Sequence, residues 1–315
     1  MWDIISSIGP LAIAYAVPMM IIALGGLFSE RSGVVNIALE GLMGVGAFAA
    51  AVYISIFYNS QGAASIWIGL LMAALAGGVF SLIHAFASIT MKADQVISGT
   101  AINILSAALT VYLSRTITGR ANIEFNGLIK QDIPVLSKIP VIGDILFSNV
   151  YATNFLVFAI FIISAYIIYK TKFGLRLRAC GENPHAADSM GVNVIRMRYI
   201  AVFISGLLAG LGGGIIMVTY SKIFSESVYN GVGFLALAAL IFGKWNPWGV
   251  LGASLFFGLS KTVGDLSSIF EGLKVVPSII FTTFPYVMTL IALVLFSKNS
   301  GGPRASGEAF DKGKR

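Results

Sequence analysis

Nine apolar runs, with charge confined to the segments between them, constrain this chain more than any other feature. The runs lie at 8–28, 34–58, 66–89, 95–114, 151–169, 199–219, 232–242, 248–264 and 276–296, and the only Asp, Glu, Lys or Arg inside them are Glu40 and Lys261. Eight of the nine are 17 to 25 residues long, the length of helix that crosses a hydrocarbon core about 30 Å thick. Charged residues make up 11% of the 315 residues, against ~25% in soluble domains. A soluble enzyme, a nucleic-acid binder and a disordered chain are excluded on that basis. The pattern predicts an all-α integral membrane protein of about nine transmembrane helices, embedded in the lipid bilayer. The run at 232–242 has 11 residues. It reads either as a span extended backwards through 227–231 or as the broken helix of a transporter.

Orientation follows from the basic residues. No Lys or Arg precedes Arg31, so the leading run lacks the positive flank of a cleavable signal peptide and reads as a first span. With the N-terminus outside and every run crossing, the inner segments hold fourteen Lys and Arg and the outer segments seven. That is the bias expected of membrane proteins, and it puts the C-terminus in the cytoplasm. It also accounts for the net charge of +7 without a nucleic-acid partner. Residues 1–299 are expected to form one transmembrane domain. An external loop at 115–150 is expected to fold over the outer mouth, a charged cytoplasmic loop spans 170–198, and 300–315 is expected to be a flexible basic tail.

Little in the chain supports chemistry. One cysteine, Cys180, and two histidines, His84 and His185, give no metal-ligand cluster. A Gly-x-x-x-x-Gly-Lys-Ser/Thr phosphate loop is absent, since Gly243-Lys244 runs into Trp245. No cofactor, no metal and no enzymatic activity are therefore expected on this chain.

Four polar residues near or within the apolar runs are candidates for a translocation path. Asn36 and Glu40 stand four apart, on one helical face if the second span begins near 34. A carboxylate about two turns into the membrane is costly and must be paired, neutral or facing water. It reads as a gate residue or as a clamp to a backbone donor or Arg31. Gln95 and Asn103 share a face with Gly99 between them, which suits a polar passage or a packing seam with hydrogen-bonding side chains. His84 reads as a satisfied interfacial residue, Lys261 as a snorkelling one. Gly206, Gly210 and Gly214 are spaced for close helix packing.

The inner loop carries the second signal, Glu182-Asn-Pro-His-Ala-Ala-Asp-Ser-Met-Gly191. Asn183 is placed to cap a short helix with Pro184 in its first position and Gly191 just after its end. The helix, expected over 184–190, reads as a docking element in which the small Ala186 and Ala187 allow close contact, or as an interfacial helix on lipid headgroups.

Three motifs in order resemble one family. Arg31-Ser-Gly-Val-Val-Asn-Ile-Ala-Leu-Glu-Gly41, then Ala179-Cys-Gly-Glu-Asn-Pro-His-Ala-Ala187, then Ile204-Ser-Gly-Leu-Leu-Ala-Gly-Leu-Gly-Gly213 resemble bacterial ABC-importer permeases of the simple-sugar and nucleoside branch, most of all nucleoside permeases. Ala38 stands where many relatives have glycine. The resemblance implies a type II importer-like permease fold in the bacterial cytoplasmic membrane. It implies ATP and Mg bound on a separate cytoplasmic ABC ATPase, a second and different permease chain, and an external substrate-binding lipoprotein. It makes Glu182, Asn183, Pro184, His185, Ala186, Ala187, Asp188, Met190 and Gly191 the ATPase-coupling residues. Permeation of ribose or another simple sugar, and ion-coupled secondary transport, are the alternatives.

Overall fold

The computed structural model describes residues 2–134, 137, 139, 143, 147–266, 277, 279–280, 283–284, 286–287, 291 and 302–313. Its elements are α1 (Trp2–Arg31), α2 (Leu39–Gln61), α3 (Ala64–Ala85), α4 (Gln95–Thr118), β1 (Ile123–Glu124), α5 (Thr153–Lys170), α6 (Lys172–Glu182), α7 (Pro184–Ser189), α8 (Val194–Ile216), β2 (Ile223–Phe224), α9 (Glu226–Tyr229), α10 (Val232–Phe242) and α11 (Pro247–Leu266). Helices α3 and α8 each end in one π-helical turn, Phe86–Thr90 and Met217–Ser221. Among the described residues, six helical segments are long and apolar enough to cross a membrane: Ile8–Arg31, Leu39–Gln61, Ala64–Thr90, Gln95–Thr118, Thr153–Lys170 and Val194–Ser221. Helix α11 stands outside that set, and the run expected at 276–296 lies mostly outside the described residues.

Helix α8 is the centre. It packs against α1, α2 and α3, while α11 lies along α1 and α4 along α2. Glycine sets these distances. A Cβ at Gly46 would lie 2.3 Å from the Gly210 carbonyl oxygen, one at Gly77 2.4 Å from that of Gly206, and one at Gly213 2.0 Å from that of Met43. Backbones therefore touch across the α2–α8 and α3–α8 crossings. In lipid, where burial of apolar surface drives no association, such contact supplies the attraction.

At one end of the bundle the α1–α2 turn, Lys92, α6–α7, Arg198, the 243–246 turn and residues 302–313 meet. At the other end β1 pairs antiparallel with β2, Ile123 opposite Phe224, and the Leu128 N–H donates to the Val218 carbonyl. Part of the 115–150 loop is thus stitched onto the end of α8.

Two expectations need correction. The second helix begins at Leu39, because Gly33, at φ +93°, breaks the chain out of α1 and residues 34–36 are irregular. Asn36 and Glu40 therefore share no helical face. The tail is also not free over 302–313: it is docked, with Ala305 and Phe310 buried. Its backbone N–H groups satisfy carbonyls that helix ends leave unpaired.

Candidate functional site

Glu40 sits in the first turn of α2, and its partner is 191 positions away. Oε1 accepts from the Gly231 N–H and Oε2 from the Gly233 N–H, both at 2.6 Å. These donors stand at the start of α10, where Gly231 takes the left-handed conformation, φ +88°, as the cap residue. The carboxylate thus fills the positive end of a helix. Of the two roles open to Glu40, the geometry is that of a clamp onto backbone donors. Helix α10 has 11 residues and so rises about 16 Å, roughly half of a hydrocarbon core. Glu40 thereby closes a half-helix.

The other three path candidates are also engaged. Asn36 is fully buried, donates from Nδ2 to Ser205 Oγ at 2.8 Å and accepts the Ala38 N–H at 3.1 Å. Gln95 Oε1 accepts the Val35 N–H at 2.6 Å. Asn103 accepts the Gly41 N–H at 2.8 Å and donates to the Ile37 carbonyl at 3.0 Å. Gln95 and Asn103 do share a face of α4, and they use it to hold the irregular 34–41 stretch. These bonds are of the packing-seam kind, although Asn103 also borders a cavity. His84 completes the stretch, with Nε2 3.1 Å from the Val35 carbonyl and Nδ1 3.0 Å from Ser98 Oγ. Lys261 lies over the Tyr15 ring, 5.2 Å from its centroid.

A cavity of about 280 Å³ borders this cluster, lined among others by Glu40, Asn103, Ser106, Glu226, Tyr229 and Asn230. Among the described residues its lining carries two carboxylates and no Lys or Arg. Asn36 and Gln95 do not reach it, whereas Glu226, Tyr229 and Asn230 do. Those three fall between the apolar runs, and only the interruption before 232 marked them.

The 170–198 loop folds as its capping residues require. Asn183 Oδ1 accepts the Ala186 N–H at 3.0 Å, Pro184 opens α7, and Gly191 follows it at φ +80°. The helix ends at Ser189, one residue short of the expectation. Glu182, Asn183, His185, Ala186, Ser189, Met190 and Gly191 are exposed, and Asp188 is half-buried. Pro184 and Ala187 face inward, so Ala186 but not Ala187 lies on an outer face. Cys180, on α6, is fully buried, and burial pushes its thiol up to about 11.

Polar locks tie the end of α6, just before α7, and the start of α8 to the turns at the same end of the bundle. Glu182 lies 3.9 Å from Arg31, a pair worth at most ~1 kcal/mol at this exposure. Arg31 donates from Nε and Nη2 to the Trp245 carbonyl at 3.0 and 2.7 Å, and Trp245 Nε1 donates to Glu30 at 2.5 Å. Arg198, buried, donates to the Ser32 carbonyl at 3.2 Å and to the Glu308 carbonyl at 2.8 Å. None of these links was legible from spacing, because each joins residues more than 60 positions apart.

Comparison with known proteins finds relatives over nearly the whole chain. Residues 11–295 match the family model described as branched-chain amino acid transport system / permease component. The guanosine ABC transporter permease protein NupQ of Bacillus subtilis (strain 168) is 48% identical over 99% of both chains. The nucleoside ABC transporter permease protein NupC of Lactococcus lactis subsp. cremoris (strain MG1363) is 41% identical over 95% of both. A second Bacillus subtilis chain, guanosine ABC transporter permease protein NupP, is 27% identical over 79% of this chain and 71% of its own length.

Proposed function

The chain belongs to the branched-chain amino acid transport system permease family, and we propose from that membership that it is one of two different permease chains in an ATP-driven nucleoside importer. The observation that carries the reading is the near-full-length identity to two nucleoside permeases. The cavity agrees with it. Its helix N-terminus is occupied by the chain's own Glu40, and its described lining residues offer no cation to a phosphate. Such a lining repels nucleotides and tolerates a neutral nucleoside. Simple sugars remain the alternative solute class by charge, but the relatives favour nucleosides. An ion-coupled transporter needs paired membrane carboxylates or a proton relay, and Glu40 is committed to backbone donors.

In this reading the chain crosses the bacterial cytoplasmic membrane about nine times, N-terminus outside and C-terminus inside. The two-to-one charge bias supports that, as does the gathering of residues 302–313 with Gly33, Lys92 and the α6–α7 loop at one end. An external binding lipoprotein delivers the nucleoside. ATP and Mg bind a cytoplasmic ATPase that docks on α7, with Glu182, Asn183, His185, Ala186, Asp188, Met190 and Gly191 at or near the contact and Pro184 and Ala187 supporting it from within. Two guanosine permease chains in one organism, NupQ and NupP, support pairing with a second, different chain. Motion at α7 passes through Arg31 and Arg198 to the 29–36 turn, and from there through Gln95, Asn103 and Glu40 to the half-helix beside the cavity.

Uptake by the complete complex tests the solute. Proteoliposomes holding both permeases and the ATPase, supplied with binding protein and ATP, are expected to accumulate labelled guanosine and to exclude labelled guanosine monophosphate. Accumulation of ribose with no nucleoside uptake would reject the reading.

A further inference from the structure

The described part of the C-terminal tail is bonded into the inner end of the molecule. Ala305 N–H donates to the Gly181 carbonyl at 2.9 Å and Gly307 N–H to the Gly33 carbonyl at 3.1 Å. Both carbonyls lie at helix C-terminal ends, Gly181 in the last turn of α6 and Gly33 just beyond α1, where no intrahelical partner exists. Arg198 reaches from α8 to the Glu308 carbonyl with one nitrogen and to the Ser32 carbonyl with another. Lys92 Nζ lies 3.0 Å from Asp311. Phe310, 7% exposed, packs its ring against that of His185 on α7, with centroids 5.2 Å apart. Phe310 and Lys312 also form one wall of a cleft of about 340 Å³, whose other lining includes Asp188 and Ile195.

These contacts touch the α1–α2 turn, the α3–α4 turn, α6, α7 and α8 within one segment of twelve residues. A six-residue helix such as α7 has too few internal hydrogen bonds to hold its own direction. Something must brace it if force applied to it is to move membrane helices rather than bend a loop.

We propose that residues 302–313 are a positioning strap which braces α7 against α1 and α8, so that the motion of the cytoplasmic ATPase reaches the spans. Phe310 supports α7 from behind and Arg198 ties the strap to α8. The strap acts through α7 and does not touch the solute. This rests on the proposed role of α7 as the ATPase contact.

The test uses the complete importer in proteoliposomes and reads nucleoside moved per ATP hydrolysed, a ratio that a purely structural loss of protein leaves unchanged. A chain ending at residue 301 is expected to lower that ratio by about tenfold, within the range of coupling energies between sites. Phe310→Ala is expected to lower it in the same sense but by less, and Phe310→Leu to restore most of it. If the truncated chain does not accumulate, the Phe310 pair decides. A wild-type ratio in Phe310→Ala, or in a truncated chain that does accumulate, overturns the strap. Met190→Asp separates the two ideas: it is expected to abolish ATPase assembly, and wild-type assembly and uptake in that variant would overturn the α7 reading on which the strap depends.

Discussion

The glycine seam and the polar end that gathers the α1–α2 turn hold the bundle by opposite means. At the seam, Gly46, Gly77, Gly206, Gly210 and Gly213 bring backbones into contact with no side chain between them. At the polar end, Glu30, Arg31, Gln95 and Arg198 join turns and tail through directed bonds. The seam has one acceptable distance, because a single added carbon has nowhere to go. The polar end is a set of separable bonds, each worth about 1–3 kcal/mol. It can exchange partners while the seam stays shut. An alternating-access device needs both: rigid bodies, and joints whose bonds can be traded.

The largest effect is therefore expected at the seam. Gly46→Val drives a side chain into the Gly210 backbone, an overpacking cost of about 3 kcal/mol or more. Size-exclusion chromatography in detergent should show loss of the monodisperse peak. A well-behaved variant would show that the seam yields.

Arg198→Leu comes next. It strips the Ser32 and Glu308 carbonyls of their donor and should cost about 2–3 kcal/mol. Thermal unfolding should start earlier while membrane insertion persists. Unchanged melting would place Arg198 outside the lock.

Glu40→Gln is smaller. An amide still accepts one of the two N–H groups but presents its own donor to the other, at a cost of about 1–2 kcal/mol. The chain should accumulate normally and uptake should fall. Full uptake would mean that the half-helix needs no carboxylate.

Cys180→Ala is the mildest substitution, about 1 kcal/mol or less near neutral pH. Its pH dependence is the sharper readout. The folded thiol is raised from 9.0 to about 11, so it stays protonated where the unfolded thiol ionises. Its stability contribution is complete below pH 9 and is lost as pH rises towards 11. Wild type should lose stability across that window more steeply than Cys180→Ala.

What could be read from residue order divides along the same line. Apolar runs and small-residue spacing are local, so the spans at α1, α3, α4, α5 and α8 and the seam on α8 were legible. So was α7, because Asn183, Pro184 and Gly191 are capping signals within one turn of it. The polar joints were not. Glu40 looked like an intramembrane charge because its partners lie at 231 and 233, and nothing nearby announces them. The tail looked free because Gly, Lys and Arg dominate it. Phe310 and the pair Pro303 and Ala305 were the only hints that it packs. Burial of Ala187 and Cys180 could not be read from either residue alone, since it depends on how α6 and α7 lie against the bundle.

That burial shapes the most direct test. The central claim is that α7 is a cytoplasmic contact helix. Cys180 is unsuited to report on it, being fully buried with a protonated thiol, whereas Met190 at its end is 84% exposed. A Met190→Cys, Cys180→Ala chain should resist a membrane-impermeant maleimide applied to intact cells. It should label in inverted vesicles, and be protected there when the ATPase is bound. Labelling in intact cells would put α7 on the wrong side of the membrane and contradict the account.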